Sequence, residues 1–156
     1  LHAISHMLNQ SLTLNDLANN SLDLAAKILK VDRAFILLYS NSTQKFTQVT
    51  TRYFNRVAKT EAVKLAVKND IVERCYKENK IILYNKPANN RLASNVKLIE
   101  IVSAIAIPLQ RDDEVIGVLY FDHLSEINCV DEKQFSFLQN FSQAPNPNQV
   151  LRHSSP

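Results

Sequence analysis

The sequence predicts an α/β (α+β) sandwich built on an antiparallel sheet, and three observations carry that reading. Two long apolar strands, Ser103 to Gln110 and Val115 to Asp122, flank the charged turn Arg111-Asp-Asp-Glu114 and contain the only glycine of the chain, Gly117. The run from Val31 to Tyr39 is apolar at both alternations, Ala34/Ile36/Leu38 and Phe35/Leu37/Tyr39, so it needs cover on both faces. Helical periodicity stands at both ends, and no βαβ repeat is needed to connect the strands.

Each element follows from local chemistry. Leu1, Ile4 and Leu8 recur at helical spacing, and a second helix presents Leu14, Leu17, Leu24, Ala25 and Ile28. Thr13 is placed to cap it, with Asp16 three residues on, and Leu12 and Leu17 fit a hydrophobic staple. The polar turn Ser40 to Gln44 leads into Phe46 to Tyr53, an antiparallel partner for the first strand. Glu61 to Asn79 reads as a charged helix burying Ile71, Val72, Cys75 and Tyr76, followed by a short strand at Ile81 to Tyr84. Asn85 to Asn90 is a loop by composition, and Leu92 to Glu100 a short helix. Asp113 stands where a tight turn would prefer glycine, while Gly117 inside a strand marks a bulge or a close approach. Asp131 opens the last helix with Gln134 as capping-box partner, Val130 and Phe135 as staple, and Phe135, Leu138 and Phe141 as its apolar side.

At 156 residues, with 46% hydrophobic and 21% charged, the chain can bury a core as one domain. No apolar run approaches the roughly 20 residues of a membrane helix. Eighteen basic and 15 acidic residues give +3, and they are interleaved, which describes a solvated surface more than a nucleic-acid footprint. Cys75 and Cys129 lack C-x-x-C spacing and suit reduced cysteines in the cytoplasm. Position 1 is Leu with a helical pattern already under way, so a longer parent protein is expected. One folded domain over residues 1–144 and a disordered tail over 145–156 are expected from the polar, proline-bearing end.

Taken in order, these segments resemble a GAF domain, the small-molecule sensor module of signalling proteins. The resemblance rests on Ser103-Ala-Ile-Ala-Ile-Pro108-Leu109, Glu114-Val-Ile-Gly117-Val-Leu-Tyr-Phe-Asp122 and Asp131-Glu132. In the first half it rests on Leu14-Asn-Asp-Leu17, Val31-Asp-Arg33-Ala-Phe-Ile-Leu-Leu-Tyr39, Asp70-Ile-Val-Glu-Arg74 and Ile81-Ile-Leu83. It implies a six-stranded antiparallel sheet, terminal helices on one face, and short helices and loops forming a pocket on the other. It also implies a non-catalytic regulatory role in a bacterial signal-transduction protein, with a small-molecule ligand and a homodimer formed through the terminal helices.

Subfamily motifs narrow the ligand. Asp131-Glu132 match the carboxylates of the cyclic-nucleotide phosphodiesterase type, but Asp122-His123 stand where it has Asn-Lys and Ile127 where it has Phe, so the cyclic-nucleotide motif is incomplete. Neither cysteine has the setting of a bilin attachment site. His2 with His6, and Asp122, His123 and Cys129, fall short of zinc-site spacing, so no metal is expected. One glycine cannot build a phosphate loop or a nucleophile elbow, which argues against catalysis. The ligand-binding expectation falls on Asn85, Asn89, Arg91, Asn95, Leu98 and Ser103, amides and one guanidinium among apolar walls. Two alternatives remain: a ligand-free dimerisation module using Leu1/Ile4/Leu8 and Phe135/Leu138/Phe141, and a redox sensor at Cys129 aided by His123.

Overall fold

The computed structural model describes residues 14–55, 65–87, 99–124 and 130–142. Along these the chain runs α1 (Leu14–Leu29), β1 (Arg33–Ser40), β2 (Lys45–Tyr53), α2 (Asn69–Glu78), β3 (Ile82–Asn85), β4 (Ser103–Arg111), β5 (Glu114–His123) and α3 (Glu132–Ser142). The strands form one antiparallel sheet ordered β2-β1-β5-β4-β3. Five strands are present among the described residues, where the resemblance implied six. The helical pattern at Leu1, Ile4 and Leu8, the Thr13 cap and the expected helix from Leu92 lie outside them, except that Ile99 and Glu100 are described and are not helical.

Strand alternation divides the interior into two cores, as the doubly apolar β1 requires. On one face Ala34, Ile36, Ile105, Ile107, Leu119 and Phe121 pack with α1 and with Leu138 of α3. On the other, Phe35, Leu37, Ala104, Ala106, Val118 and Tyr120 pack with Ile71, Val72 and Cys75 of α2. The buried stripe of α1 is Ala18, Leu22, Ala25, Ala26 and Leu29. Leu24, expected on that stripe, is 46% exposed, because it sits about 200° round the helix from Leu22. The second helix starts at Asn69 with Leu65 to Lys68 irregular ahead of it, residues 61–64 of the expected span lie outside the described residues, and Tyr76 is only half-buried.

The last helix opens as its sequence implies. The Gln134 N–H donates to Asp131 Oδ1 at 2.8 Å and the Asp131 N–H to Gln134 Oε1 at 3.0 Å, the two reciprocal bonds of a capping box. Of its expected apolar side, Leu138 is fully buried in the domain's own core.

Reversals are made without glycine. Asp112 and Asp113 take φ of 52° and 65°, the pair of left-handed residues a two-residue hairpin turn needs. Lys30 (φ 53°) ends α1, Asn79 (φ 51°) ends α2, and Gln44 (φ 57°) closes the β1–β2 hairpin, where its N–H donates to Ser40 O at 2.7 Å. Gly117 serves a different need. The β4–β5 register slips between Leu109 and Gln110, leaving Ile116 as the extra residue of a bulge beside Gly117. A Cβ on Gly117 would lie 2.3 Å from Leu37 O and 3.0 Å from Leu38 Cδ2, so both sequence alternatives, bulge and close approach, hold.

Gly117→Ala is therefore expected to lose about 1–3 kcal/mol in urea unfolding, since β1 backbone rather than a flexible side chain must move. Lys30→Gly, which relieves a left-handed residue, is expected to gain about 0.5–1 kcal/mol in the same measurement.

Candidate functional site

At the end of the sheet where β1 begins and β5 ends, cross-strand pairing aligns one residue from every strand. The row is Tyr53, Arg33, Asp122, Ala104 and Tyr84, from β2 to β3. By alternation with Phe35, Tyr120 and Ala106 it lies on the α2 face. Its centre is charged and wholly buried, with Arg33 and Asp122 both at 0% exposure.

That charge is satisfied internally. Arg33 donates Nε–H to Asp122 Oδ1 at 2.9 Å and an Nη2 proton to Oδ2, a bidentate pair. Its Nη1 donates to the carbonyl of Leu65 at 2.7 Å. The Tyr120 hydroxyl donates to Asp122 Oδ2 at 2.9 Å and accepts the Lys68 N–H at 3.2 Å. Burial pulls the Arg33 pKa down, but the hydrogen bond and charge of Asp122 more than offset it and hold it above its ordinary value. Burial, then the Asp122 charge, raises the Tyr120 phenol well above the ordinary tyrosine range.

Aromatic rings frame this centre. The Arg33 guanidinium lies 4.9 Å from the Phe35 ring centre, and Phe35 contacts Tyr120 and Tyr53 at centroid distances of 5.7 and 6.5 Å. On the β3 side the Lys68 ammonium stands 4.3 Å over the Tyr84 ring, and it pairs loosely with the exposed Asp70 at 3.8 Å. Of this floor, Tyr53, Tyr84 and Lys68 are half-exposed. The arginine is already engaged.

The expected ligand residues divide. Asn89, Arg91, Asn95 and Leu98 lie outside the described residues. Asn85 and Ser103 are cross-strand partners, and His123 continues their row on β5. Alternation places them on the side opposite Tyr84 and Ala104, with Asn85 exposed and Ser103 fully buried. The chain leaving β3 and returning to β4 is clamped at its stem: Lys86 N–H donates to Val102 O at 2.7 Å, and the Lys86 ammonium pairs with Glu100.

Sequence reasoning missed the Arg33–Asp122 pair and weighed Asp122 only as a ligand group. The available signal was an arginine and an aspartate of opposite sign, each at the end of an otherwise apolar strand. Asp131, the first carboxylate of the Asp-Glu pair in the cyclic-nucleotide motif, is occupied as the α3 cap. Among the described residues no group of three His, Cys, Asp or Glu is arranged to hold a metal ion. Cys129 lies outside them, as do His2 and His6. An open depression of about 500 Å³ beside the end of α1, lined by Asp23, Ala26, Lys27, Lys30, Val31, Asp32 and Phe54, is remote from α2 in its lining.

An antiparallel sheet with α1 and α3 on one face and α2 over an apolar layer holding one buried ion pair on the other is an architecture of the sensor-module class of α/β sandwiches. The chain belongs to the GAF domain family, whose model matches residues 11–144. Solved structures agree at the level of fold. The GAF domain of Acinetobacter phosphoenolpyruvate-protein phosphotransferase is similar, with 19% identity and a TM-score of 0.61 over 99% of this chain and 93% of that one. So are the GAF domain of a two-component sensor histidine kinase from Bacillus halodurans, at 16% and 0.56 over 91% and 99%, and GAF3 from Slr1393 of Synechocystis in its photoproduct state, at 11% and 0.60 over 92% and 100%. No curated protein matches the chain.

Cys75 is fully buried, and burial pushes its thiol up to about 12, leaving about one thiolate in ten thousand at pH 8. A maleimide reagent followed by peptide mapping is expected to leave Cys75 unmodified in the native protein and to modify it in urea. Native labelling at the rate of a free thiol would contradict its place on the buried face of α2.

Proposed function

We propose that this GAF domain is a non-catalytic sensing module that takes a small polar or anionic molecule on the α2 face and passes its state to an output domain through the terminal helices. The family match carries this reading. Support also comes from the tyrosine-framed floor and from the clamped stem at Lys86 and Glu100, from which the chain carrying Asn89, Arg91, Asn95 and Leu98 departs. In this reading Arg91 and the asparagines recognise the ligand. Asn85 and Ser103 anchor the base of that chain.

The setting that fits this role is a cytoplasmic bacterial signalling protein with residues 1–144 as the sensor unit. No helix among the described residues is long and apolar enough to cross a membrane. Homodimerisation through the terminal helices has its own support, since Leu24 of α1 and Phe137 of α3 are 46% and 43% exposed. These two replace Leu138, whose burial within the domain removes it from any such interface.

A metabolite and nucleotide panel read by thermal shift tests the sensing reading. A stabilising compound is expected, and Arg91→Ala is expected to abolish its shift while leaving the melting temperature of the free domain unchanged. A shift that survives Arg91→Ala removes Arg91 from the site. A monodisperse dimer with no responding compound would favour the dimerisation module instead.

A further inference from the structure

Leu65 to Lys68 forms a short irregular strap leading into α2, and two of its main-chain groups are held by side chains from the sheet. Arg33 of β1 takes the carbonyl of Leu65, and Tyr120 of β5 takes the N–H of Lys68. Lys68 is the residue before α2 and makes no side-chain cap, so the start of that helix leans on the tyrosine oxygen. Asp122 orients both holders, gripping the guanidinium through two oxygens and the Tyr120 hydroxyl through one.

The same sheet end is tied to the turn after α1. The Asp32 N–H donates to Asp122 O at 3.0 Å, and the Asp32 carboxylate accepts the Leu124 N–H at 2.8 Å and an amide proton of Asn55. Asp32 stands three residues beyond Leu29, the last residue of α1. Hydrogen bonds therefore link the start of α2 through Tyr120 to the Asp122 side chain, and the Asp122 carbonyl to Asp32 at the corner that follows α1.

We propose that Arg33, Tyr120 and Asp122 form a releasable clasp on the Leu65–Lys68 strap, coupling the position of α2 to the α1–β1 corner. The irregular backbone suits release, since the strap has no ladder of its own to keep it in place. A buried ion pair suits specification, because apolar side chains of similar volume would pack as stably without fixing one arrangement. The clasp belongs to the ligand-free chain and stands apart from the sensing reading.

NMR-detected hydrogen exchange on the ligand-free protein tests it. Tyr120→Phe, which keeps the ring and removes one oxygen, is expected to speed exchange at Lys68 by about tenfold. The β1, β4 and β5 ladder amides should stay slow, while Leu124 should also speed up. By reciprocity, Asp32→Asn is expected to speed exchange at Lys68. An unchanged Lys68 rate in Tyr120→Phe overturns the clasp, as does uniform acceleration of all sheet amides, which would mean plain core loosening. Faster Lys68 with unchanged Leu124, or no effect of Asp32→Asn on Lys68, overturns the coupling.

Discussion

The buried pair of Arg33 and Asp122 constrains more of this domain than any other contact. It joins the first residue of β1 to its register partner on β5, in the middle of the sheet. A slip of one residue between the two strands would put Arg33 and Asp122 on opposite faces and leave each charge without its partner. Removing one partner of such a pair costs about 3–5 kcal/mol, because the survivor is left charged and unpaired, whereas an apolar replacement of both can be neutral. The pair is thus a weak source of stability and a strong source of register. Tyr120, the strap and the start of α2 take their places from it.

A second constraint is the near absence of glycine. Five described positions need left-handed backbone, and Lys, Gln, Asn and two Asp residues fill them. Asp and Asn accept that geometry at modest cost, but Lys30 and Gln44 have no such aptitude. What fixes them is the surrounding pairing: Lys30 N–H donates to Ala26 O at 2.9 Å as α1 ends, and Gln44 closes a hairpin already in register. The single glycine goes where no side chain at all can be accommodated, against the β1 backbone at Leu37.

Much of the fold was legible because its cues are local. The two-Asp turn, the Asp131–Gln134 box, the doubly apolar β1 and the buried Ile71, Val72 and Cys75 of α2 each follow from residues within a few positions of one another. Leu24 is off the stripe because α1 carries more leucine than its buried stripe can hold, and Ala18 and Ala26, beside the expected Ala25, take the contact instead. The start of α2 was drawn too early because charged residues of good helical propensity run on past it, while side chains from β1 and β5 hold Leu65 to Lys68 in irregular form. The site was less legible for the same reason: Arg33 and Asp122 are 89 positions apart, and pairing them requires the sheet order. Family resemblance placed both residues in strands without saying that they meet.

Where β5 ends, three consecutive residues serve three parts of the molecule. Asp122 faces α2, alternation turns His123 toward the terminal helices, and the Leu124 N–H reaches the Asp32 carboxylate at the corner after α1. A displacement at this point cannot be confined to one layer, because the strand is stiff and each of the three residues is buried or hydrogen-bonded. The exposed Leu24 and Phe137 lie on the helices at the far side of that junction. The exposed apolar side chains of the terminal helices and the tyrosine-edged α2 face are then separated by one strand whose end is fastened to both, so a displacement on one face is carried to the other through that strand end.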